Sequence, residues 1–498
     1  MMTDKEISSV DSLKASFKSG VPPAPEAFFH LIDEAYKAYE IIDGGKGDGP
    51  AAGLKRDDKG KLALNTHLSG GLNLEQGALA LSLKPEGGFS FDGGRRLKLD
   101  ADRQVQFADF FSLSRWERME ITQLLGFKRA MMARMVSPSP KANEHFGTSV
   151  SLNAAGNCLA VGMDNKVCVY TGRKGEWNIN APTVFEDDQD QSRSSWDVSL
   201  NAVGDCLAVG YLVEYFLNNK KVKACVYTRP NGAWDTKNPI VFPLEDQRGY
   251  SGGHNVSLSA TGDCLAVAGD SWSYIYTRTN GIWDTENPFK LMSSFTKVCL
   301  SASGNCLAGY RVDYSHNPIN VVYVYTRTNG IWDKENPTKF MAAKDRSSNF
   351  NRIFSLNAAG DRLAVGVDYD IPTKGKVYLY TRTNGIWDTE YPIKFSAPAS
   401  DVTYFGSAIK LNDVGNRLVV GAASRVYVYT CLNNKWNMET PMEILDPSDS
   451  SGNSDNLNGF GKAVSLNRWE TSLAVGAVSD KVGSVSEAGA VYIFENVK

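Results

Sequence analysis

One phrase recurs six times in the sequence: Tyr-Thr, three residues, Gly or Asn, one residue, and then Trp followed by Asp or Asn. The tryptophans are Trp177, Trp234, Trp283, Trp332, Trp387 and Trp436, separated by 57, 49, 49, 55 and 49 residues. Self-similarity at such a period belongs to solenoids and propellers. Each unit holds the same parts in the same order, seen most clearly from Asn349 to Thr403. An alternating stretch, Ile353–Leu356, enters a polar Gly turn. Leu363-Ala364-Val365-Gly366 follows, then a variable loop, then Val377–Thr381. An Asn384-Gly385 turn leads through Trp387 to a last extended piece, Pro392–Phe395. Short Val-, Ile-, Tyr- and Thr-rich runs punctuated by Gly and Asn are strands joined by hairpins. Four strands in about 50 residues make a propeller blade.

The Leu-x-Val-Gly run counts the blades. It starts at Leu159, Leu207, Leu265 (with Ala268 at the Gly position), Leu307 (shortened to Leu-Ala-Gly), Leu363, Leu418 and Leu473, which makes seven. The seventh unit ends at Ala490–Phe494 without an outer strand, whereas Met132–Lys141 precedes the first complete unit and aligns with the outer-strand position. A closed ring leaves no sheet edge free. The segment near Met135-Val136 is therefore expected to complete blade seven and clasp the ring, giving a propeller over residues 135–498.

Phe146-Gly147, Phe405-Gly406 and Phe460-Gly461 each precede a Leu-x-Val-Gly run by about ten residues. On these pairs the region from Phe146 to Lys498 resembles the FG-GAP propellers of bacteria and, more distantly, of integrin α chains. The integrin branch holds calcium in an Asp-x-Asp-x-Asp-Gly turn. Here the turns read Asn-Ala-Ala-Gly-Asn, Asn-Ala-Val-Gly-Asp, Ser-Ala-Thr-Gly-Asp and Asn-Asp-Val-Gly-Asn. Calcium takes six or more oxygen ligands, several from carboxylates, so no metal and no cofactor is expected. Trp-Asp pairs also resemble WD repeats, but no Gly-His pair precedes them; kelch repeats would need a Gly-Gly doublet.

The first 134 residues are a different object. Residues 1–24 are polar and read as a flexible N terminus. Phe28, Leu31, Ile32, Ala35, Tyr39 and Ile42 fall at helical spacing, so Pro25–Asp43 reads as an amphipathic helix, and residues 25–50 as an attachment segment. Residues 51–102 carry a shorter repeat. Gly53-Leu54-Lys55 with Lys61–Leu64, Gly71–Leu74 with Ala78–Leu81, and Gly88–Phe91 with Arg96–Leu99 are three copies, their leading glycines 18 and 17 residues apart. Each copy has too few apolar residues for a core of its own. The pattern resembles shaft repeats of viral fibres and of tail fibres from phages and contractile injection systems, where three chains intertwine. That resemblance implies a homotrimer formed through residues 51–134, with attachment to a tail or baseplate-like assembly through residues 1–50. A monomeric β-meander is the alternative. Residues 103–134 read as a helical connector, with a capping box at Ser114–Glu117 and a stripe of Leu124, Phe127, Met131 and Met135.

Composition narrows the chemistry. A net charge of −3 gives no basic field for nucleic acid, and no apolar run is long enough to insert in a membrane. No export signal is seen, so synthesis in a cytoplasm is expected, with later assembly into an extracellular phage-like particle. Cys158, Cys206, Cys264 and Cys306 each stand just before a Leu-x-Val-Gly run, one per blade and too far apart to pair. There is no CxxC, HExxH, GxSxG or phosphate-loop order, and no catalytic residue is assigned.

The expected ligand is a cell-surface glycan or receptor. Two sets of residues could recognise it. Trp234, Trp283, Trp332 and Trp387, with Arg278, Arg327 and Arg382 beside the last three, suit stacking on a sugar ring while polar groups bond its hydroxyls; the same tryptophans equally suit packing between blades. Tyr211, Tyr215, Phe216, Tyr310, Tyr314, His316 and Tyr369 lie where loops break the repeat, at Tyr211–Lys221, Tyr310–Asn320 and Asp368–Lys374, and loops on a rigid scaffold carry function. A soluble scaffold for a protein partner and the targeting subunit of a secreted toxin are the other readings.

Overall fold

The structure is a computed structural model. It describes residues 131–495, save the loops 174–175, 187–195, 216–218, 245–253, 270, 292–294, 314–318, 342–349, 368–374, 400–401 and 449–458, together with six short strands between Leu54 and Leu99. The helix expected at 25–43 and the helical connector as far as residue 130 lie outside these residues. The chain divides into two compact units, Met1–Phe110 and Phe111–Lys498.

In the first unit the repeat forms three two-stranded antiparallel pairs. Leu54–Arg56 pairs with Leu62–Leu64, Gly71–Glu75 with Ala78–Ser82, and Phe89–Phe91 with Leu97–Leu99. No pair is joined to another described strand.

The second unit is a seven-bladed β-propeller. Blade 5 shows the plan: Phe350–Leu356, Arg362–Val367 and Lys376–Thr383 are successive antiparallel neighbours, and the third strand then pairs with both Ile386–Trp387 and Ile393–Ser396. The outer strand is thus broken after the tryptophan. The innermost strands are Ser149–Leu152, Asp197–Leu200, Val256–Leu258, Lys297–Leu300, Phe350–Leu356, Ile409–Leu411 and Phe460–Leu466. Each touches the next, and the last touches the first, so the ring closes. Blade 7 takes its outer strand from Met131–Met135, which pairs with Ala490–Glu495. Met131 and Met135 therefore belong to the closing strand and not to a helical stripe, and the propeller begins four residues earlier than the expected boundary. Arg134 pins the seam: its Nη2 donates to Asp480 Oδ2 at 3.0 Å and its Nε to the Tyr492 hydroxyl at 3.1 Å.

Antiparallel order gives the ring two faces. Turns from first to second strand and from third to fourth emerge on one side, here the turn face. Second-to-third hairpins and blade-to-blade connections emerge on the other, the loop face.

Two sequence positions stitch blade to blade. In the innermost strands, the backbone N–H of Leu200, Leu258, Leu300, Leu411 and Leu152 donates to Oγ of Ser151, Ser199, Ser257, Ser355 and Ser465, at 2.9–3.1 Å. Each such bond contributes about 0.5–1.5 kcal/mol net. In the second strands of blades 1, 2, 6 and 7, the Gly of Leu-x-Val-Gly lies against the backbone entering the next blade. A Cβ on Gly162 would stand 2.0 Å from the Trp196 carbonyl oxygen, and one on Gly421 equally close to that of Gly461. Only glycine permits that approach. The Phe-Gly pairs serve the same junction: Phe146, Phe405 and Phe460 are buried, and Gly147, Gly406 and Gly461 have φ of 96°, 95° and 85°.

All eight cysteines are free thiols. Cys158, Cys206, Cys264 and Cys306 are buried, each at the head of a second strand and under the turn glycine of the following blade. Burial raises their thiol pKa values, to about 11 for Cys158 and Cys264 and about 12 for Cys206 and Cys306.

Candidate ligand-binding surfaces

The turn face is built from one local device. In the first turn of blade 2, Asn201 Oδ1 accepts the backbone N–H of Gly204, Asp205 and Cys206 at 2.9–3.1 Å, and its Nδ2 donates to Asp205 Oδ1 at 2.7 Å. Asn153, Ser259, Ser301, Asn357, Asn412 and Asn467 accept backbone N–H groups in the same way. An amide or hydroxyl oxygen thus gathers the N–H groups at the turn where the integrin-type loop would place calcium ligands. Among the described residues no three His, Cys, Asp or Glu side chains gather as a cation site.

Neighbouring turns are chained by backbone bonds: Ala154 donates to Ala202, Ala202 to Ala260 and Ala260 to Ala302. Blade 7 departs from the pattern, with Glu470 (φ 58°) in place of the turn glycine. Its carboxylate holds Arg417 Nη1 at 2.8 Å and also meets Asn412, so side chains bridge the junction of blades 6 and 7.

The third-to-fourth turns are equally uniform. Asn280-Gly281, Asn329-Gly330 and Asn384-Gly385 all have φ of 50–53° and 82°, the signature of a type I′ hairpin. The tryptophans that follow are inter-blade core. Trp283, Trp332 and Trp387 are 6–8% exposed, and Trp234 is half-buried. Each indole packs on a phenylalanine from the outer strand of the preceding blade: Phe242 on Trp283 at 5.2 Å and 87°, Phe340 on Trp387 at 5.3 Å and 88°. Their faces are occupied by protein. The aspartate after each tryptophan is engaged locally, as when Asp284 Oδ1 accepts the N–H of Glu286 and Asn287. In blade 2, bonds from Asn238 and Lys237 hold the equivalent Asp235 carboxyl below the ordinary carboxylate range. Arg278 is bound to Asp263 at 2.8 Å, while Arg327 and Arg382 bend back onto the carbonyls of Gly330 and Gly385.

Among the described residues, the tryptophan and arginine set therefore flanks turns of the turn face, whereas Tyr211, Tyr215 and Tyr310 belong to second-to-third hairpins of the loop face. On the loop face, the expected loops of blades 2 and 4 are instead extended hairpins. Cys206–Tyr215 pairs with Asn219–Thr228 as far as Tyr215 against Asn219, and Cys306–Asp313 pairs with Ile319–Thr328 as far as Asp313 against Ile319. Alternating β-branched and tyrosine residues, as in Tyr310-Arg311-Val312-Asp313, prolong the strand period where a break in the repeat suggested a loop. Tyr211 and Tyr310 sit in the roots of these hairpins and are buried, Tyr211 stacked on Trp196 at 4.1 Å. Tyr215 ends its strand. Phe216, Tyr314, His316 and Tyr369 lie outside the described residues. Near the blade 4 tip, Arg311 Nη2 donates to the Tyr323 hydroxyl at 3.1 Å, which in turn donates to Asp313 Oδ2 at 3.3 Å.

One feature escaped the sequence reading. Seven of the eight most exposed large apolar side chains among the described residues flank turns of the turn face, 64–76% exposed: Val203, Ile282, Ile331, Ile386, Val414, Leu432 and Trp469; the eighth, Tyr391, lies in the break of the blade 5 outer strand. The isoleucine beside each Asn-Gly turn was visible as a repeat, but its orientation follows only from the pairing of Thr279 with Ile282 and its equivalents. A groove of about 440 Å³ between blades 5 and 6 is lined by Lys394, Ser396, Ala397, Pro398, Tyr429, Met438 and Glu439. No helix among the described residues is long and apolar enough to cross a membrane.

No protein family and no curated protein matches this sequence.

Proposed function

We propose that this chain is a non-enzymatic, fibre-like adhesion protein. Its head is a propeller of the FG-GAP type that recognises a cell-surface glycan or receptor, its residues 51–134 assemble three copies, and residues 1–50 attach the fibre to a tail or baseplate-like particle after synthesis in a cytoplasm. The observation that carries this reading is the series of three short two-stranded hairpins that precedes the ring in the sequence. Two-stranded sheets of three to five residues are marginal in water when alone. Three such units in series gain a core most directly from sister chains. Trimerisation would then multiply weak head–glycan contacts into avidity.

On the head, the loop face suits recognition better than the turn face does. Its hairpins in blades 2 and 4 project beyond the repeat, and selectivity requires a surface that differs from blade to blade.

Light scattering on residues 1–498 and 111–498 tests the assembly. A trimer that becomes a monomer on truncation supports the proposal; a monomeric full-length chain ends it. The fragment must start before Met131, because a start at Pro140 removes the closing strand.

A further inference from the structure

We propose that the turn face across blades 3, 4 and 5 is a docking site for a basic amphipathic polypeptide segment. The three blades present the same element in succession. Ile282, Ile331 and Ile386 are 75%, 74% and 76% exposed, each fixed beside a type I′ turn whose two left-handed residues permit no other strand path. Scattered surface isoleucines need no explanation. Three at the same position of successive blades, on the face that also carries Val203, Val414, Leu432 and Trp469, repeat one exposed apolar contact from blade to blade.

Charge selects the occupant. Each hairpin follows its isoleucine with two carboxylates, Asp and then Glu, against one arginine, and Lys334 is the one added cation. The arginines are drawn back: Arg278 onto Asp263, the other two onto their own turn carbonyls. The glutamates Glu286, Glu335 and Glu390 stay exposed. A repeated apolar contact edged by surplus negative charge fits a segment with Leu- or Val-type side chains interleaved with Lys or Arg. It disfavours an anionic lipid surface and an acidic peptide. This site stands apart from the proposed glycan face and does not depend on it.

The test uses the full-length chain with two synthetic 18-residue peptides, one of leucine and lysine, the other of leucine and glutamate. The lysine peptide is expected to bind with an affinity that falls as salt rises, and to slow amide exchange in residues 278–287, 327–336 and 382–391. The combined variant Ile282→Ser, Ile331→Ser, Ile386→Ser, which leaves every charge in place, is expected to melt like the parent and to bind at least about tenfold more weakly. A second variant, Glu286→Gln, Glu335→Gln, Glu390→Gln, is expected to flatten the salt dependence. Equal binding of the two peptides, unchanged affinity of the serine variant, or protection confined to the loop face overturns the proposal. Self-association of the parent that the serine variant abolishes also overturns it, by identifying a second copy as the occupant.

Discussion

The two faces of the ring are made from the same strands and differ in kind. The turn face repeats: one Asx or Ser turn in every blade and the same type I′ hairpin in blades 3, 4 and 5, with most polar groups already spent on the backbone beside them. The loop face varies, from the tight Asp164-Asn165 connection of blade 1 to the ten-residue strands of blade 2. Repetition follows from ring closure, since five of the seven junctions are held by the same serine stitch. Variation is tolerated only where no neighbour leans on the chain, and there selectivity can reside.

Changes to the repeated parts should therefore cost stability, and changes to the variable hairpins should not. The largest effect belongs to the closing strand. Deleting residues 1–135 removes the partner of Ala490–Glu495 and exposes a sheet edge. Loss of a cooperative melt is expected, whereas deletion of residues 1–110 leaves it intact; similar melts for both would break the closure assignment.

Next comes the inter-blade core. Trp332→Ala or Trp387→Ala should lower unfolding free energy by about 3–5 kcal/mol in urea titration. A cost under about 1 kcal/mol would return these indoles to the surface as sugar-stacking groups. Asn201→Ala strips the acceptor from three backbone N–H groups, and a loss of about 1–3 kcal/mol is expected.

The buried thiols add a pH signature. An unfolded chain releases their protons near 9.0, while in the folded ring Cys158, Cys206, Cys264 and Cys306 hold them to about 11–12. Folding therefore favours the protonated form, so this contribution is complete below pH 9 and is lost as pH rises through 11–12. Thermal melts at stepped pH should decline over that window, and flat melting temperatures to pH 11 would contradict the burial.

Smallest is the variable face. Cutting the blade 4 hairpin back to the Arg311–Val321 pair with an Asn-Gly turn, which keeps the buried Val321, should change stability by less than about 1 kcal/mol.

Much of this contrast was legible in the residues. Asn-Gly before Trp234, Trp283, Trp332 and Trp387, Gly at the fourth place of Leu-x-Val-Gly and the unpaired Ala490–Phe494 all encode local geometry, so blade number and closure followed from the period and its one missing strand. Tyr211 and Tyr310 were different. A break in the repeat marks departure from the consensus, but whether the extra residues form a loop or a longer hairpin depends on cross-strand register, as in Val213 against Lys221. The exposed turn-face isoleucines were hidden for a similar reason. Ile282 and Trp283 are adjacent in sequence, and only the pairing with Thr279 and Arg278 sends one to solvent and the other into the junction.

The most direct test of the division between the faces is glycan-array binding by the full-length chain and by two variants, the shortened blade 4 hairpin and the three-isoleucine serine variant. Binding by the parent and the serine variant, with signal lost on shortening the hairpin at an unchanged melting temperature, is the predicted result. Loss in the serine variant with retention in the shortened one, or no glycan bound by the parent, would contradict it.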